Sequence, residues 1–415
     1  VSDATMTIDG RALTAASRRR PDRSLTRWTW IGLKMLRNLS HGTLIVVMPD
    51  GRAFRFESPG EGPEATIIMR DQRMARRWFT GGLIGWSESY LDGEWDSPDV
   101  AKVVELFSTN MAALEKHIDG TWWSNLLARV LHALNRNNKR GSQRNIAYHY
   151  DLGNDFYRRW LDPSMTYSSA VFEGSQQDLE AAQMAKYRRI CTLLDARPGQ
   201  HVLEIGCGWG GFAQVAAAEF GLKVTGITLS QEQHAYATER MRVAGLSDQV
   251  EIRLQDYRDV SERFDRIASI EMFEAVGESY WPTFFTKVKS CLAENGKAAM
   301  QVITIADDRF EAYRRSPDFI QRYIFPGGML PSDSILRGLV RDAGMTLTKD
   351  DGFGLDYART LRHWADSFQA SWPEIREMGF DTRFRRMWEF YLHYCEGGFR
   401  SGGIDVRQIA FSRNG

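Results

Sequence analysis

Val202-Leu203-Glu204-Ile205-Gly206-Cys207-Gly208-Trp209-Gly210-Gly211 carries apolar residues and an acid straight into a glycine turn, and a helical pattern follows. This order predicts a buried strand that ends in a tight loop against a ligand. Glycine lets backbone approach where no side chain fits, and the N–H groups opening the next helix face what is bound there. The spacing E-x-G-x-G-x-G differs from the dinucleotide pattern G-x-G-x-x-G. Further strands are expected at Val202–Ile205, Val224–Ile227, Val250–Arg253, Arg266–Ile270 and Ala298–Val302, each separated from the next by helix-length sequence. That alternation predicts an α/β fold with a doubly wound, Rossmann-like parallel sheet covered on both faces. Ligands in such sheets sit at the carboxyl ends of the strands. The first end offers Glu204 with Gly206, Gly208 and Gly210, the second Thr228 and Gln233, and the third Asp256 and Tyr257. Thr228 and Gln233 stand where an acid usually takes the ribose hydroxyls, and Asp256 with Tyr257 could hold adenine.

Upstream the pattern changes. Residues 1–27 are polar and basic, with Arg18-Arg19-Arg20, Arg23 and Arg27, and are expected to be poorly ordered. Residues 28–135 read as a smaller α+β domain. Thr43–Val47 and Ala53–Phe56 flank Pro49-Asp50-Gly51, a hairpin signal, and Ala65–Met69 is another strand. In residues 120–135, Trp122, Trp123, Leu126, Leu127, Val130, Leu131 and Leu134 share one helical face, and Arg136, Lys139, Arg140 and Arg144 follow. Two readings fit: a helix packed on the core, the commoner fate of an amphipathic face, or one lying in a lipid interface with its basic tail on anionic headgroups. The polar stretch 136–146 is the expected linker, and 147–415 the catalytic domain.

A chain of 415 residues is long enough for two domains. Its 53 Lys+Arg balance 53 Asp+Glu, which counts against nucleic acid as a partner. The four cysteines are scattered, with no metal-site spacing, and suit a reducing cytoplasm. No apolar run approaches a membrane span, and the Arg-rich start lacks the apolar core of a secretory signal. The expected location is cytoplasmic, peripheral on the inner face of the membrane.

The glycine run resembles the first motif of methyltransferases that use S-adenosylmethionine (SAM), which implies the class I methyltransferase fold. The run Tyr148-His149-Tyr150-Asp151-Leu152-Gly153-Asn154-Asp155-Phe156-Tyr157, continuing through Leu161–Ala170, resembles cyclopropane-fatty-acyl-phospholipid synthases and the related mycolic-acid cyclopropane synthases. So do Glu271–Gly277, Tyr323–Ser332, Asp356–Leu361 and Cys395–Arg400, in the family's order. The resemblance implies methyl transfer from SAM to a cis double bond in a phospholipid acyl chain. A carbocation forms on the other alkene carbon, and a base removes a proton from the new methyl as the ring closes. In the family that base is a bound bicarbonate. Carried over by residue, Tyr167, Ser168, the glycine loop, Thr228, Gln233 and Tyr257 contact SAM. Glu274 holds bicarbonate, Tyr357 donates to it, Ile303 contributes through its backbone, and Cys395 matches a residue assigned to the active site. A buried structural role fits Cys395 equally well.

Three departures bear on the product. The family commonly has Cys at the position of Ser169, His at Gln301 and His at Ala275. Gln donates hydrogen bonds but cannot take a charge. Proton removal is therefore open to retuning: a cyclopropane is the default, and a methyl branch or a methylated alkene is the alternative. The implied partners are an unsaturated phospholipid surface, a second copy of the chain, and a reductase if the product is branched. Two readings of other classes stand beside this one. A non-catalytic SAM- and lipid-binding protein would have no need of intact glycines and Glu274. An RNA or small-molecule methyltransferase disagrees with the neutral charge and the acyl-chain motifs.

Overall fold

The computed structural model describes residues 5–8, 11–12, 24–115, 152–174, 178–316 and 318–413. The Trp/Leu face at 120–135, the linker 136–146 and Tyr148–Asp151 lie outside the described residues. The chain divides into two compact units, residues 1–130 with 376–403 and residues 131–375 with 404–415. The boundaries read from sequence differ from this in the C-terminal part, where 376–403 groups with the first unit.

The first unit carries strands β1 (Thr5–Ile8), β2 (Arg11–Ala12), β3 (His41–Val47), β4 (Ala53–Glu57), β5 (Gly60–Met69) and β6 (Trp95–Asp96), ordered β2-β1-β4-β3-β5-β6. β1 and β2 fall within residues 1–27, and β1 pairs antiparallel with β4, giving that strand a second neighbour. The expected hairpin is present. β3 and β4 pair antiparallel, and the Gly51 N–H closes the turn on the Met48 carbonyl at 2.9 Å. The helix Thr382–Arg400 belongs here because its apolar face lies on this unit's helices. Phe390 packs against Trp86 and Tyr90, with ring centroids 5.5 and 5.3 Å apart. A Cβ at Gly397 would stand 2.6 Å from the Ala101 carbonyl oxygen, so only glycine permits that approach.

The second unit is built on β7 (His201–Ile205), β8 (Lys223–Thr228), β9 (Val250–Leu254), β10 (Phe264–Ile270), β11 (Leu292–Ile305), β12 (Met345–Gly352) and β13 (Ile404–Arg413). Their order is β12-β13-β11-β10-β7-β8-β9. The five strands expected from sequence form its parallel part. β12 and β13 were not anticipated and extend the sheet antiparallel. Strand alternation divides the apolar side chains between two faces. Val202, Val224 and Ala268 pack with the helices Leu179–Leu193 and Gly211–Phe220. Leu203, Ile205, Ile227 and Ile267 pack with Trp281–Cys291 and Asp333–Asp342. Both faces are thus covered, and the polar residues at the carboxyl ends of β7, β10 and β11 are left at one edge of the sheet. Among the described residues no helix is long and apolar enough to cross a membrane.

Candidate active site

Glycine at 206 is required by two separate constraints. Its φ is +85°, and a Cβ there would stand 2.6 Å from Cγ of Met272. The loop is pinned to the second strand: the Gly206 and Cys207 N–H groups both donate to the Ile227 carbonyl at 3.0 Å. Gly208 and Gly210 also have positive φ, and at Gly208 an added Cβ would meet nothing within 4 Å. The backbone there is open for close approach, as a bound cofactor requires.

The other expected cofactor residues divide into three groups. Thr228 and Gln233 are brought together, the threonine hydroxyl donating to Gln233 Oε1 at 2.9 Å. Tyr167 is partly buried in an aromatic wall, its ring centroid 5.5 Å from Tyr157 and Trp160 and 5.2 Å from Trp364. Ser168 is buried, and its hydroxyl receives a hydrogen bond from Lys186 Nζ at 2.5 Å. Glu204 takes a structural position: its carboxylate is buried beneath the loop and accepts the Ala213 N–H at the start of the following helix. Burial raises its pKa well above the ordinary carboxylate range. The Asp256 carboxylate is engaged by Arg258 at 2.6 Å. Tyr257 stacks on Phe284 at 5.3 Å, with its hydroxyl buried and without a hydrogen-bond partner. The side chains expected to hold adenine are thus tied to Arg258 and to the core.

The catalytic candidates converge at the ends of β10 and β11. Strand β10 ends at Ile270, and Glu271 follows with φ +48°, a left-handed conformation that side chains rarely adopt. Its N–H donates to the Gln301 carbonyl at 2.8 Å. The strained turn points the carboxylate at three donors. Ser169 N–H reaches Oε1 at 2.8 Å, Gln301 Nε2 reaches the same oxygen at 2.6 Å, and Tyr357 Oη–H reaches Oε2 at 2.6 Å. Gln301 is held rigidly: Nε2 also donates to the Ser169 carbonyl at 3.1 Å, and Oε1 accepts from Gln408 Nε2 on β13 at 2.9 Å. Both glutamines are fully buried.

Three residues further on, Glu274 lies in the short helical turn Phe273–Ala275. Its Oε1 accepts the Ile303 N–H at 2.5 Å, while Oε2 is buried without a hydrogen-bond partner. Burial first, and the neighbouring Glu271 second, push Glu274 up to about 8. Burial also raises Glu271, opposed by Lys186 and by the donors from Tyr357, Gln301 and Ser169. Lys186 is itself buried and is brought down to about 7.

Tyr357 and Ser169 are delivered by one helix. Gly354–Ala370 carries Tyr357, and its Asp356 and Thr360 accept the backbone N–H groups of Phe172 and Ala170 at 3.0 and 3.1 Å, so the extended Ser168–Phe172 segment is strapped alongside. Trp364, two helical turns further, lies 6.1 Å from Tyr357 and continues the aromatic wall. Cys395 lies on the helix Thr382–Arg400 in the first unit and is half-buried.

This arrangement bears on the two groups that the resemblance implies. SAM fits. The open backbone at Gly208 suits close contact, and the Glu271 carboxylate beside an aromatic wall favours a sulfonium cation, with Glu274 held protonated next to it. Bicarbonate does not fit. Each donor expected to hold it, namely Ser169 N–H, Gln301 Nε2, Tyr357 Oη and Ile303 N–H, already donates to a carboxylate of the chain. A second anion would meet two acids in place of those donors.

Glu271 and Lys186 were not singled out by sequence reasoning. Glu271 lies in the acidic loop Glu271–Gly277, where the signal is a second acid three residues before Glu274 at a strand end. Lys186 sits in Ala181-Ala182-Gln183-Met184-Ala185-Lys186, which gives no sign that its ammonium is buried.

Glu274 makes the protein's stability depend on pH in a defined direction. A carboxyl held near 8 in the folded state and near 4.5 in the unfolded state keeps its proton in the fold across that window. The unfolded chain binds fewer protons there, so stability falls as pH rises from about 4.5 to 8. Glu274→Gln removes this dependence. The variant is expected to match wild type in acid and to exceed it by on the order of 2–4 kcal/mol above pH 8, as read from thermal unfolding across the range.

Residues 137–409 match the family model for mycolic acid cyclopropane synthetase. The chain is 37% identical over 387 residues to a tuberculostearic acid methyltransferase of Mycobacterium tuberculosis, covering 91% of this chain and 90% of that one. It is 37% identical over 358 residues to the cyclopropane-fatty-acyl-phospholipid synthase of Escherichia coli, covering 85% and 89%. Among solved structures, it is similar to a cyclopropane synthase from Mycobacterium tuberculosis, with a TM-score of 0.61 at 32% identity over 65% of this chain and 98% of that one. A mycolic acid cyclopropane synthase complexed with SAH and CTAB matches with a TM-score of 0.62 at 30% identity, over the same shares.

Proposed function

The chain belongs to the mycolic acid cyclopropane synthetase family and is a SAM-dependent methyltransferase, and from this premise we propose that it methylates the cis double bond of an unsaturated acyl chain held in a phospholipid. The observation that carries the reading is the pair Glu271 and Glu274 at the strand ends, next to the aromatic wall of Tyr167 and Trp364. SAM supplies an electrophilic methyl on a sulfonium. Accepting it leaves a cation on an apolar chain that has no charge of its own to be recognised by. The aromatic faces stabilise that cation without attacking it, since a ring presents its negative quadrupole and keeps water away. The Glu271 carboxylate sets a negative potential that favours the same charge. Tyr357 and Gln301 hold Glu271 in one orientation.

Relatives of both kinds support acyl chemistry, one being a tuberculostearic acid methyltransferase and another a cyclopropane-fatty-acyl-phospholipid synthase. The test is incubation with methyl-labelled SAM and vesicles of a monounsaturated phospholipid, with the free fatty acid in a parallel arm, followed by mass spectrometry of the released acids. The expected result is a gain of one CH₂ unit in the vesicle arm. No gain in either arm would overturn the reading, and a gain only from free acid would overturn the phospholipid part. Chromatography of the same acids separates ring from branch and from methylated alkene.

A further inference from the structure

We propose that the Glu271 carboxylate is this enzyme's built-in base, standing where the resemblance puts a bicarbonate ion. The inference rests on the acyl-methylating function and deepens it. Its ground is the accounting of donors at the ends of β10 and β11. Three groups expected to cradle the free anion, Ser169 N–H, Gln301 Nε2 and Tyr357 Oη–H, converge on the two oxygens of one side chain at 2.6 to 2.8 Å. A planar carboxylate and a planar bicarbonate offer acceptors of the same geometry and charge. The three donors therefore receive from Glu271 what they would receive from the ion.

The backbone supports a role beyond packing. Glu271 holds φ +48°, which costs about 1–2 kcal/mol for a residue with a side chain. A glycine would take that turn without strain but would bring no carboxylate. Gln301 agrees with this assignment. Both hydrogens on its amide nitrogen are donated and its oxygen accepts from Gln408, so it orients the carboxylate and takes no part in moving the proton. Lys186 lies buried near the same carboxylate, and its charge keeps some of the carboxylate ionised within an apolar site.

The step balances without a co-reactant. The cationic acyl chain loses a proton from a carbon next to the cationic centre or from the new methyl group. The electron pair of that C–H bond becomes the new C=C or C–C bond, and the proton goes to a Glu271 oxygen. Exchange with solvent restores the carboxylate.

The test compares wild type, Glu271→Gln and Glu271→Gly in buffer stripped of carbon dioxide and in the same buffer with added bicarbonate. The label transferred from methyl-SAM to vesicle lipid is counted in each. Wild type is expected to change by less than about twofold on addition. Glu271→Gln keeps the shape but not the base, and is expected to lose at least about a hundredfold with no recovery. Glu271→Gly frees the three donors and relaxes the turn, and is expected to regain at least about tenfold when bicarbonate is added. Strong stimulation of wild type by bicarbonate, or a Glu271→Gln variant close to wild type, overturns the proposal. A second measurement is independent of turnover: titration of ¹³C-bicarbonate into SAH-saturated protein, followed by NMR. Saturable binding is expected for Glu271→Gly and not for wild type. The reverse pattern overturns the proposal whatever the lipid assay gives, whereas a wild type that methylates no lipid counts against the acyl function alone.

Discussion

Tyr357→Phe is expected to move the acidic limb of the pH profile of kcat/KM upward by about one to two units and to lower the rate below that limb by about ten- to a hundredfold. The tyrosine hydroxyl donates to Glu271 Oε2 at 2.6 Å, and a hydrogen bond to a buried charge is worth about 1.5–3 kcal/mol, or one to two pKa units. Burial already raises Glu271, and the Tyr357 bond opposes it. Removing that bond lets the pKa rise further, so the carboxylate that must accept a proton is already protonated until a higher pH. The charged groups facing Glu271 are otherwise unchanged, with Lys186 lowering its pKa and Glu274 close by. The phenylalanine ring keeps the contact with Trp364, so the fall in melting temperature should stay within about the several degrees that the lost hydrogen bond accounts for. A large loss of rate with no movement of the limb would remove Glu271 from the titrating step.

Gly206→Ala is expected to cost about 2–4 kcal/mol of stability and to weaken SAH binding at least tenfold. Two costs combine. The position has φ +85°, which strains any side chain. The new methyl group would also lie 2.6 Å from Cγ and 2.8 Å from Cβ of Met272. Met272 stands between Glu271 and Glu274, so the methionine cannot yield without shifting the acidic turn. The substitution therefore reaches both the cofactor loop and the base. Thermal unfolding and calorimetric titration with SAH check the two effects separately. A variant with wild-type affinity would show that the loop does not hold the cofactor.

The inner parallel strands β7 and β8 were legible as apolar runs between turn signals, buried on both faces, whereas the edge strand β9, Val250-Glu251-Ile252-Arg253-Leu254, was legible from its alternation. β12, Met345-Thr346-Leu347-Thr348-Lys349-Asp350-Asp351-Gly352, is half polar and lies at the edge of the sheet, where no apolar pattern is imposed. β13 is recognisable as a strand in retrospect, but nothing local says that it inserts between β11 and β12. In the site, Glu274, Gln301, Ile303, Ser169 and Tyr357 were all legible from the family resemblance, and the structure brings them together. What sequence could not supply was the partner of each donor. Gln301 was expected to retune proton removal, whereas its amide is fully used in holding Glu271. Asp256 was legible as an acid at a strand end, but the neighbouring Arg258 that claims it could only be weighed with coordinates.

The route of the chain through its two units has a consequence for biosynthesis. Residues 376–403 complete the first unit, and 404–413 then supply β13, the strand between β11 and β12 in the second. The first unit cannot close until the chain has been made through residue 403, nor the second until β13 has followed it. A nascent chain halted after residue 375 would lack the helix that covers Trp86 and the strand that carries Gln408, the partner of Gln301. Both units would then present unfinished apolar surface and an open strand edge to quality control. A stop codon between residues 376 and 403 is thus expected to remove the whole protein from the cell rather than to leave a shortened, partly active one.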